Sequence, residues 1–392
     1  MPLPDLTRLD AAPAYLAGAL AERLREVGFC RAHVDGLTEL LPGLPTGLQH
    51  QGLDWLTLDE RRPASMAMRL LMLGRTLALA DARELLGAAL LQPLIEVGLL
   101  AQGQHGVRFP LRLELVNQLM IVSDHHDDDP ATVMAVGGST QLLARASYPQ
   151  TDIHTALDLG CGSGLLALLL APACRRVVGI DINPRALHLA RFNAGLNGIA
   201  NVEWRQGHLF EPVAGDRFDL IVSQPPFLPR PDDQAAVLYL HGGTHGDELA
   251  LALLARAGNH LEPAGMAVVL SNFPVLPAPL LQRLRQAVPE GGLLVIQLHP
   301  PAAASTLATL YGGADEAAAH RTLALHRHLQ ALGITELVQA VVVLHGGAGP
   351  LLVTVDGDNW PALHRSDIDN VLSGRSNLGQ LPAGGGLAQS QA

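Results

Sequence analysis

A glycine-rich turn directly after an aspartate constrains the fold of this chain more than any other feature. The segment reads Asp158-Leu-Gly-Cys-Gly-Ser-Gly164 and continues the apolar run His154–Leu159. Glycines at alternate positions permit positive φ and let a ligand approach the backbone closely. A buried strand that turns at once into a helix, here near Leu165, begins a βαβ unit. The segment therefore predicts an α/β fold with a mainly parallel sheet.

A second carboxylate ends the next predicted strand. Arg176–Asp181 is apolar enough to be a buried strand, and Asp181 stands 17 residues after Gly164. A carboxylate at that point of a dinucleotide fold accepts hydrogen bonds from ribose hydroxyls. The nicotinamide fingerprint would also require a glycine at position 165, where this chain has leucine. The spacing predicts a nucleoside cofactor and argues against a nicotinamide dinucleotide.

A pair of prolines follows the fourth predicted strand. The strand Phe218–Val222 leads into the tetrapeptide Gln224-Pro-Pro-Phe227. Proline fixes φ, so two consecutive prolines hold neighbouring hydrogen-bond acceptors in place before a substrate arrives. The tetrapeptide therefore predicts a preorganised substrate site where this strand ends.

These motifs together resemble those of the class I S-adenosylmethionine-dependent methyltransferases. Residues 120–350 are similar to the N5-glutamine and amino methyltransferase superfamily, in which an Asn/Asp-Pro-Pro-aromatic motif stands where this chain has Gln224–Phe227. A bacterial group with a helical N-terminal domain is closer still. The stretch Val136–Thr140 and the segment Gly207–Pro212 resemble the corresponding stretches of that group. The resemblance implies S-adenosylmethionine as the cofactor and methyl transfer to a nitrogen.

The resemblance also implies roles for individual residues. Gln224, Pro225 and Phe227 would place the acceptor nitrogen in line with the methyl–sulfur bond. Gln224 replaces the superfamily's Asn or Asp, and its extra methylene moves the amide oxygen by roughly 1 Å or more. His208 fits a surface loop as well as an adenine contact. The implied cofactor-binding residues are Asp158, Gly160, Cys161, Gly162, Gly164, Asp181, Ile182, His208, Leu209 and Gln224.

The region before the glycine-rich turn has a different pattern. Apolar residues from Tyr15 to Val122 follow mostly helical spacing, and Pro93 is placed to open a helix that runs to Leu100. A turn and the extended stretch Val107–Leu115 follow, which is the order of a winged helix. The segment Leu90–Leu100, which would be the recognition helix, contains no arginine, and this argues against nucleic-acid binding.

The composition of the chain limits the classes of partner that it is expected to bind. The chain has 26 basic residues, none of them lysine, against 37 acidic residues, for a net charge of −11. This balance argues against a broad basic surface for nucleic acid or the ribosome and favours a small-molecule or peptide acceptor. Cys30, Cys161 and Cys174 are too few for a disulfide framework or a four-thiolate zinc site. The acidic stretch Asp124–Pro130 is interpreted as a solvated linker, and no metal site is predicted.

The predicted organisation follows from these segments. The late runs Glu336–Leu344 and Leu351–Val355 are expected to pair as an antiparallel hairpin. The N-terminus lacks the apolar run of a signal peptide and no segment is a plausible membrane span, so a cytoplasmic protein is expected. No feature indicates an oligomeric state. The predicted domains are a winged-helix-like accessory domain (1–122), a linker and cofactor-lid loop (123–150), a Rossmann-like seven-stranded methyltransferase domain (151–375) and a disordered tail (376–392).

Two further functions remain open at this stage. The same pocket could consume the cofactor as its whole substrate, with ring closure releasing methylthioadenosine. A cofactor-sensing regulator built on an inactive methyltransferase is the non-enzymatic alternative, with the winged helix as its output.

Overall fold

The computed structural model describes residues 3–41, 46–58, 60–125, 129–231, 237–306, 318–346, 350–354 and 363–373. The predicted tail at 376–392 and residues 126–128 of the acidic stretch lie outside these ranges. The main helices are α1 (Leu16–Glu26), α2 (Arg31–Thr38), α3 (Thr46–Thr57), α4 (Pro63–Ala67), α5 (Leu79–Leu86), α6 (Ala88–Glu96), α7 (Gly138–Ser147), α8 (Leu165–Leu170), α9 (Pro184–Leu196), α10 (Glu248–Ala257), α11 (Leu280–Ala287), α12 (Ala318–Ala331) and α13 (Arg365–Leu372). A π-helix, Met68–Met72, continues α4.

The strands complete the description. They are β1 (Ala101–Gly103), β2 (Gly106–Arg108), β3 (Arg112–Val116), β4 (Leu119–Ser123), β5 (Ile153–Leu159), β6 (Cys174–Asp181), β7 (Val202–Gln206), β8 (Phe218–Ser223), β9 (Leu228–Pro229), β10 (His241–Gly243), β11 (Leu261–Pro274), β12 (Gly292–Gln297), β13 (Ala302–Ala303), β14 (Glu336–His345) and β15 (Pro350–Thr354).

Backbone contacts divide the chain into two compact units that alternate along the sequence. The first unit comprises Met1–Val136, Gly162–Leu165 and Asn183–Ala200. The second comprises Gly137–Cys161, Leu166–Ile182 and Asn201–Ala392. The domain boundaries predicted at residues 122 and 150 stay predictions.

The first unit is built on apolar helix faces. In α1, Leu16, Leu20 and Leu24 recur every four residues and are all buried, which is the spacing of an amphipathic helix. They share one core with buried residues of α5 and α6, and with Leu189 and Phe192 of α9. Helix α9, which follows β6 in sequence, therefore completes the core of the N-terminal unit.

Two predictions for this unit need correction. Pro93 lies inside α6 and does not open it. The helix begins five residues earlier because Gly87, at φ 76°, ends α5 and redirects the chain. The extended stretch 107–115 is interrupted at Pro110, so that β1 pairs with β2 and β3 pairs with β4 in separate antiparallel ribbons. The specific winged-helix assignment stays a prediction.

The first turn of α9 is tied to the N-terminal unit by a buried ion pair. The Arg185 guanidinium donates to both carboxylate oxygens of Asp124, at 2.8 Å from Nε and 2.5 Å from Nη2, and also donates to the carbonyl of Pro4. Asn183 caps α9 through Oδ1 and donates from Nδ2 to the carbonyl of Ala131 at 2.8 Å. Asp124, expected in a solvated linker, is therefore fully buried because it neutralises Arg185.

The second unit contains the central sheet. Its strands run in the order β15-β12-β14-β11-β8-β5-β6-β7, and β13 pairs at one end of β14. The strands β8, β5, β6 and β7 are parallel neighbours, while β14 is antiparallel to β11 and β12. Consecutive residues of β11 and β12 are buried, as is usual for strands that are buried on both faces of a sheet. The predicted α/β class with a central, mainly parallel sheet is confirmed.

Two details of the sheet differ from the sequence prediction. Within the described residues the central sheet has nine strands, where seven were predicted, because β15 adds a parallel edge strand and the two-residue β13 pairs with β14. The runs that form β14 and β15 do not pair as a hairpin. Strand β12, which the sequence analysis did not predict, lies between them and hydrogen-bonds to both.

Gly179 in β6 provides a test of this packing. A Cβ atom at this position would lie 2.4 Å from the ring of Trp204, its partner on β7. We expect Gly179→Ala to lower the free energy of unfolding by about 1–3 kcal/mol, since overpacking strains the neighbours. Urea denaturation checks this value. In a Trp204→Ala background the same substitution should cost much less, and an equal cost in both backgrounds would contradict the clash.

Candidate functional site

The predicted site residues follow neighbouring parallel strands at one edge of the sheet. The chain runs from β5 to β6 and β7 on one side and returns to β8 on the other, so the strand order reverses at β5. In open α/β sheets, ligands bind outside the carboxyl ends of the strands at such a switch point. Asp158, Asp181 and Gln224 lie at or just beyond these carboxyl ends.

Asp158 is fully buried beside this edge, opposite Gly179 of β6 and Val222 of β8. Its Oδ2 accepts a hydrogen bond from the backbone N–H of Ala167 at 3.0 Å, whereas Oδ1 has no partner among the described residues. Burial raises the pKa of Asp158 to about 7, and the nearby charge of Asp181 also raises it. A buried acceptor without a partner calls for an explanation, and a ligand donor supplies one.

The glycine-rich turn has the backbone that its sequence requires. The N–H groups of Gly160 and Cys161 both donate to the carbonyl of Ile180, at 2.8 and 2.9 Å, which draws the turn onto the end of β6. Gly160, Gly162 and Gly164 have φ values of 72°, 51° and 86°, a region that favours glycine. Cys161 is buried, as expected for a small packed residue.

The residues after β6 and β7 present both polar and apolar groups. Asp181 is half-buried, and its carbonyl accepts a hydrogen bond from the N–H of Gly207 at 3.0 Å. Ile182 is 49% exposed, which is unusual for a large apolar side chain at the end of a central strand. His208 is exposed and lies 3.7 Å from a carboxylate oxygen of Glu211. Leu209 has a positive φ of 48°, a strained conformation for leucine.

The Gln224 side chain has partners that the sequence analysis missed. Its Oε1 accepts a hydrogen bond from the Thr140 hydroxyl at 2.9 Å, and its Nε2 donates to Ser139 Oγ at 2.8 Å. Both partners belong to the first turn of α7. The hydroxyl of Ser223 donates to the carbonyl of Leu159 at 2.8 Å and fixes the end of β8 to β5. The Gly-Gly stretch before α7 was the one signal in the sequence for this region.

The segment after the two prolines is closely covered by a glycine-containing loop. A Cβ at Gly242 would lie 2.3 Å from the carbonyl oxygen of Pro226, and one at Gly246 would lie 2.4 Å from that of Phe227. The N–H groups of Phe227 and Leu228 donate to the carbonyl of Leu240. The backbone around Phe227 is therefore closely packed against residues 240–246.

A buried asparagine of α9 was also missed. Asn193 donates from Nδ2 to the carbonyls of Val122 and Ser163, both at 2.9 Å, and accepts from the N–H of Val122. Ser163 belongs to the glycine-rich turn, and its placement therefore depends on this side chain. Helical periodicity does not reveal such a contact, since Asn193 stands in the middle of an ordinary helical pattern.

A metal site and a membrane-spanning helix are both absent from the described residues. No group of three or more His, Cys, Asp or Glu side chains is placed there to hold a metal ion. Every helix in the described ranges is too short or too polar to cross a membrane.

Comparison with known protein families bears on the same region. Residues 134–290, which include the glycine-rich turn and the Gln-Pro-Pro-Phe tetrapeptide, match the methyltransferase small domain. This stretch of the chain is similar to that family. The resemblance proposed from the motifs is thereby confirmed.

Relatives that match this stretch of the chain are named as glutamine methyltransferases. A putative protein N5-glutamine methyltransferase of Methanocaldococcus jannaschii is 36% identical over 121 residues, which cover 30% of this chain and 60% of the relative. A release factor glutamine methyltransferase of Geobacter sulfurreducens is 38% identical over 124 residues, covering 29% and 43%. A ribosomal protein uL3 glutamine methyltransferase of Bradyrhizobium diazoefficiens is 33% identical over 141 residues, covering 33% and 44%. The chain spans about half the length of these relatives.

Proposed function

We propose that the protein binds S-adenosylmethionine at the carboxyl edge of the sheet and transfers its methyl group to the nitrogen of a carboxamide on a peptide or small molecule. One observation carries the proposal. Asp158, Asp181 and Gln224, which the motifs singled out, lie at or just beyond the carboxyl ends of neighbouring strands, beside the switch point of the sheet.

The residues at this edge fit such a cofactor. The unpartnered Oδ1 of Asp158 suits the ammonium group of the methionine part, and Gly160, Gly162 and Gly164 let that part approach the backbone. The Asp181 carboxylate suits the ribose hydroxyls. The exposed side chain of Ile182 suits the apolar face of a base, and Leu209 with its neighbour His208 would border the same base.

The acceptor assignment rests on the relatives and on the tetrapeptide. The named relatives act on glutamine, whose side chain ends in a planar carboxamide. A carboxamide both donates and accepts hydrogen bonds, and the Gln224 carboxamide has complementary groups. The Phe227 ring would pack on the planar group. The names of these relatives give no support to the ring-closing or sensor alternatives.

In this proposal, the chain's own residues align the acceptor nitrogen with the methyl group of the cofactor. The bound sulfonium supplies an electrophilic methyl group. Gln224 and the Pro225 carbonyl would orient the acceptor nitrogen, and the loop held against Pro226 and Phe227 would fix that geometry and exclude water. Orientation of this kind contributes several kcal/mol to lowering a barrier without a strong base.

The substitution Gln224→Ala tests whether orientation of the acceptor and binding of the cofactor depend on different residues. The resemblance also counts Gln224 among the cofactor-binding residues, but its amide is engaged by Thr140 and Ser139. We therefore expect turnover to fall about a hundredfold while the affinity for S-adenosylmethionine changes less than about twofold, because the amide would orient the acceptor. Calorimetry gives the affinity, and release of S-adenosylhomocysteine with N-acetylglutamine amide as acceptor gives turnover. Gln92→Ala, an exposed glutamine on α6, is the matched control. Unchanged turnover in Gln224→Ala would remove this residue from the acceptor site.

The ligand carried by the purified protein tests the cofactor itself. Protein denatured directly after purification should release S-adenosylmethionine or S-adenosylhomocysteine, as identified by mass spectrometry. Methylthioadenosine would favour the ring-closing reaction, and a nicotinamide dinucleotide would contradict the proposal.

A further inference from the structure

We propose that Ser139 and Thr140 are positioning residues that hold the Gln224 carboxamide in one orientation toward the acceptor. This inference rests on the proposed function for its consequence, but the arrangement of the three side chains is independent of it. The two hydroxyls lie on α7, 85 and 84 residues away in sequence from the amide that they bind.

The two hydrogen bonds engage both ends of the amide. Thr140 donates to Oε1 at 2.9 Å, and Nε2 donates to Ser139 Oγ at 2.8 Å. An amide held at one end alone can rotate about its last side-chain bond, whereas an amide held at both ends cannot. Terminal torsions of this kind otherwise have broad, roughly two-fold distributions.

The arrangement leaves part of the amide's hydrogen-bonding capacity for a substrate. A carboxamide has two acceptor lone pairs and two N–H donors. Within the described residues, one lone pair and one N–H of Gln224 are used by Thr140 and Ser139. The remaining lone pair and N–H match the N–H and carbonyl of a carboxamide acceptor, whereas an amine would satisfy only the lone pair.

The extra methylene of Gln224 acquires a role in this arrangement. The methylene does not extend the amide outward toward the acceptor. It gives the side chain the length to reach the first turn of α7, where both hydroxyls stand half-buried. Asn at this position would fall short of one hydroxyl or both. The choice of Gln therefore depends on Ser139 and Thr140 being present.

A spectroscopic measurement tests the arrangement without any acceptor. In ¹⁵N-glutamine-labelled full-length protein, the signal absent from Gln224→Asn identifies the Gln224 amide. We expect its two protons to be well separated in chemical shift and slow to exchange with water. In the double variant Ser139→Ala/Thr140→Val, the shift separation and the exchange rate of these two protons should approach the values of exposed glutamines. Gln141→Ala, one residue along the same helix, should change neither quantity. An unchanged signal in the double variant would overturn the proposal.

A double-mutant cycle tests the functional consequence. Thr140→Val should lower kcat about tenfold with N-acetylglutamine amide and leave the Kd for S-adenosylmethionine unchanged, because one hydrogen bond to the amide is lost. In a Gln224→Ala background the same substitution should have no further effect on kcat. Additive effects would overturn the positioning role. If the wild type binds S-adenosylmethionine but transfers no methyl group to this acceptor, the amide acceptor of the proposed function fails, and the spectroscopic result still decides the arrangement.

Discussion

Asp181→Ala should weaken binding of S-adenosylmethionine by about two orders of magnitude. In the proposed site the carboxylate at the end of β6 accepts hydrogen bonds from both ribose hydroxyls. Hydrogen bonds to charged groups contribute roughly 1.5–3 kcal/mol each, and about 1.4 kcal/mol corresponds to a tenfold change in affinity. Two such bonds account for a loss of about a hundredfold or more. Isothermal titration calorimetry with the full-length protein measures it.

Two further variants sharpen this experiment. Asp181→Asn keeps the shape of the side chain but loses the charge and one acceptor oxygen, so its affinity should be intermediate. Asp152→Ala removes an exposed carboxylate just before β5, at the opposite edge of the sheet, and should leave the affinity unchanged. If Asp181→Ala binds as tightly as the wild type, the ribose does not lie at this carboxylate.

Affinity for S-adenosylmethionine should fall as the pH falls through about 7. The pKa of Asp158 in the ligand-free protein is raised to about 7, chiefly by burial. Above this pH the carboxylate is ionised and attracts the ligand's ammonium group, whereas below it a bound proton must first be released. Linkage then gives a dissociation constant about tenfold larger at pH 6 than at pH 8.

The matched variant for this prediction is Asp158→Asn. Its side chain has nearly the same shape but no titrating carboxyl, so its affinity should be low at every pH and lack the inflection near pH 7. Titration of the ligand's own amino group would affect wild type and variant alike, and the difference between the two curves isolates Asp158. A wild-type affinity that is flat between pH 6 and pH 8 would exclude a direct role of this carboxylate.

The sequence predicted well those features that depend on neighbours in the chain. The glycine-rich turn, the carboxylate that ends β6 and the two prolines after β8 each have a local backbone requirement, and the structure places all three at one edge. Strand β5 (Ile153–Leu159) differs from its predicted range, His154–Leu159, by one residue, because a run that leads directly into a glycine-rich turn has few alternatives.

Features that depend on distant partners were not predictable from periodicity. Ser139 and Thr140 stand in an ordinary helix start, and only the folded sheet brings them to Gln224. The predicted pairing of β14 with β15 was wrong for the same reason. The runs of β14 and β15 are close in sequence and were expected to pair, but β12, some forty residues earlier than β14, takes the place between them. Apolar alternation shows that a run is a strand, not which strand lies beside it.

Because α9 belongs to the N-terminal core, the N-terminal helices cannot be removed without exposing apolar residues of α9. A fragment that began at residue 151 would carry α9 but lose α1, so that Leu189 and Phe192 would be left without their packing partners. It would also lose Asp124, so that the Arg185 guanidinium would lose its counter-ion. An insertion or deletion in the N-terminal helices would therefore disturb the packing of α9, the helix that follows Asp181 in sequence. Removal of the N-terminal helices as a separate domain is therefore expected to destabilise α9.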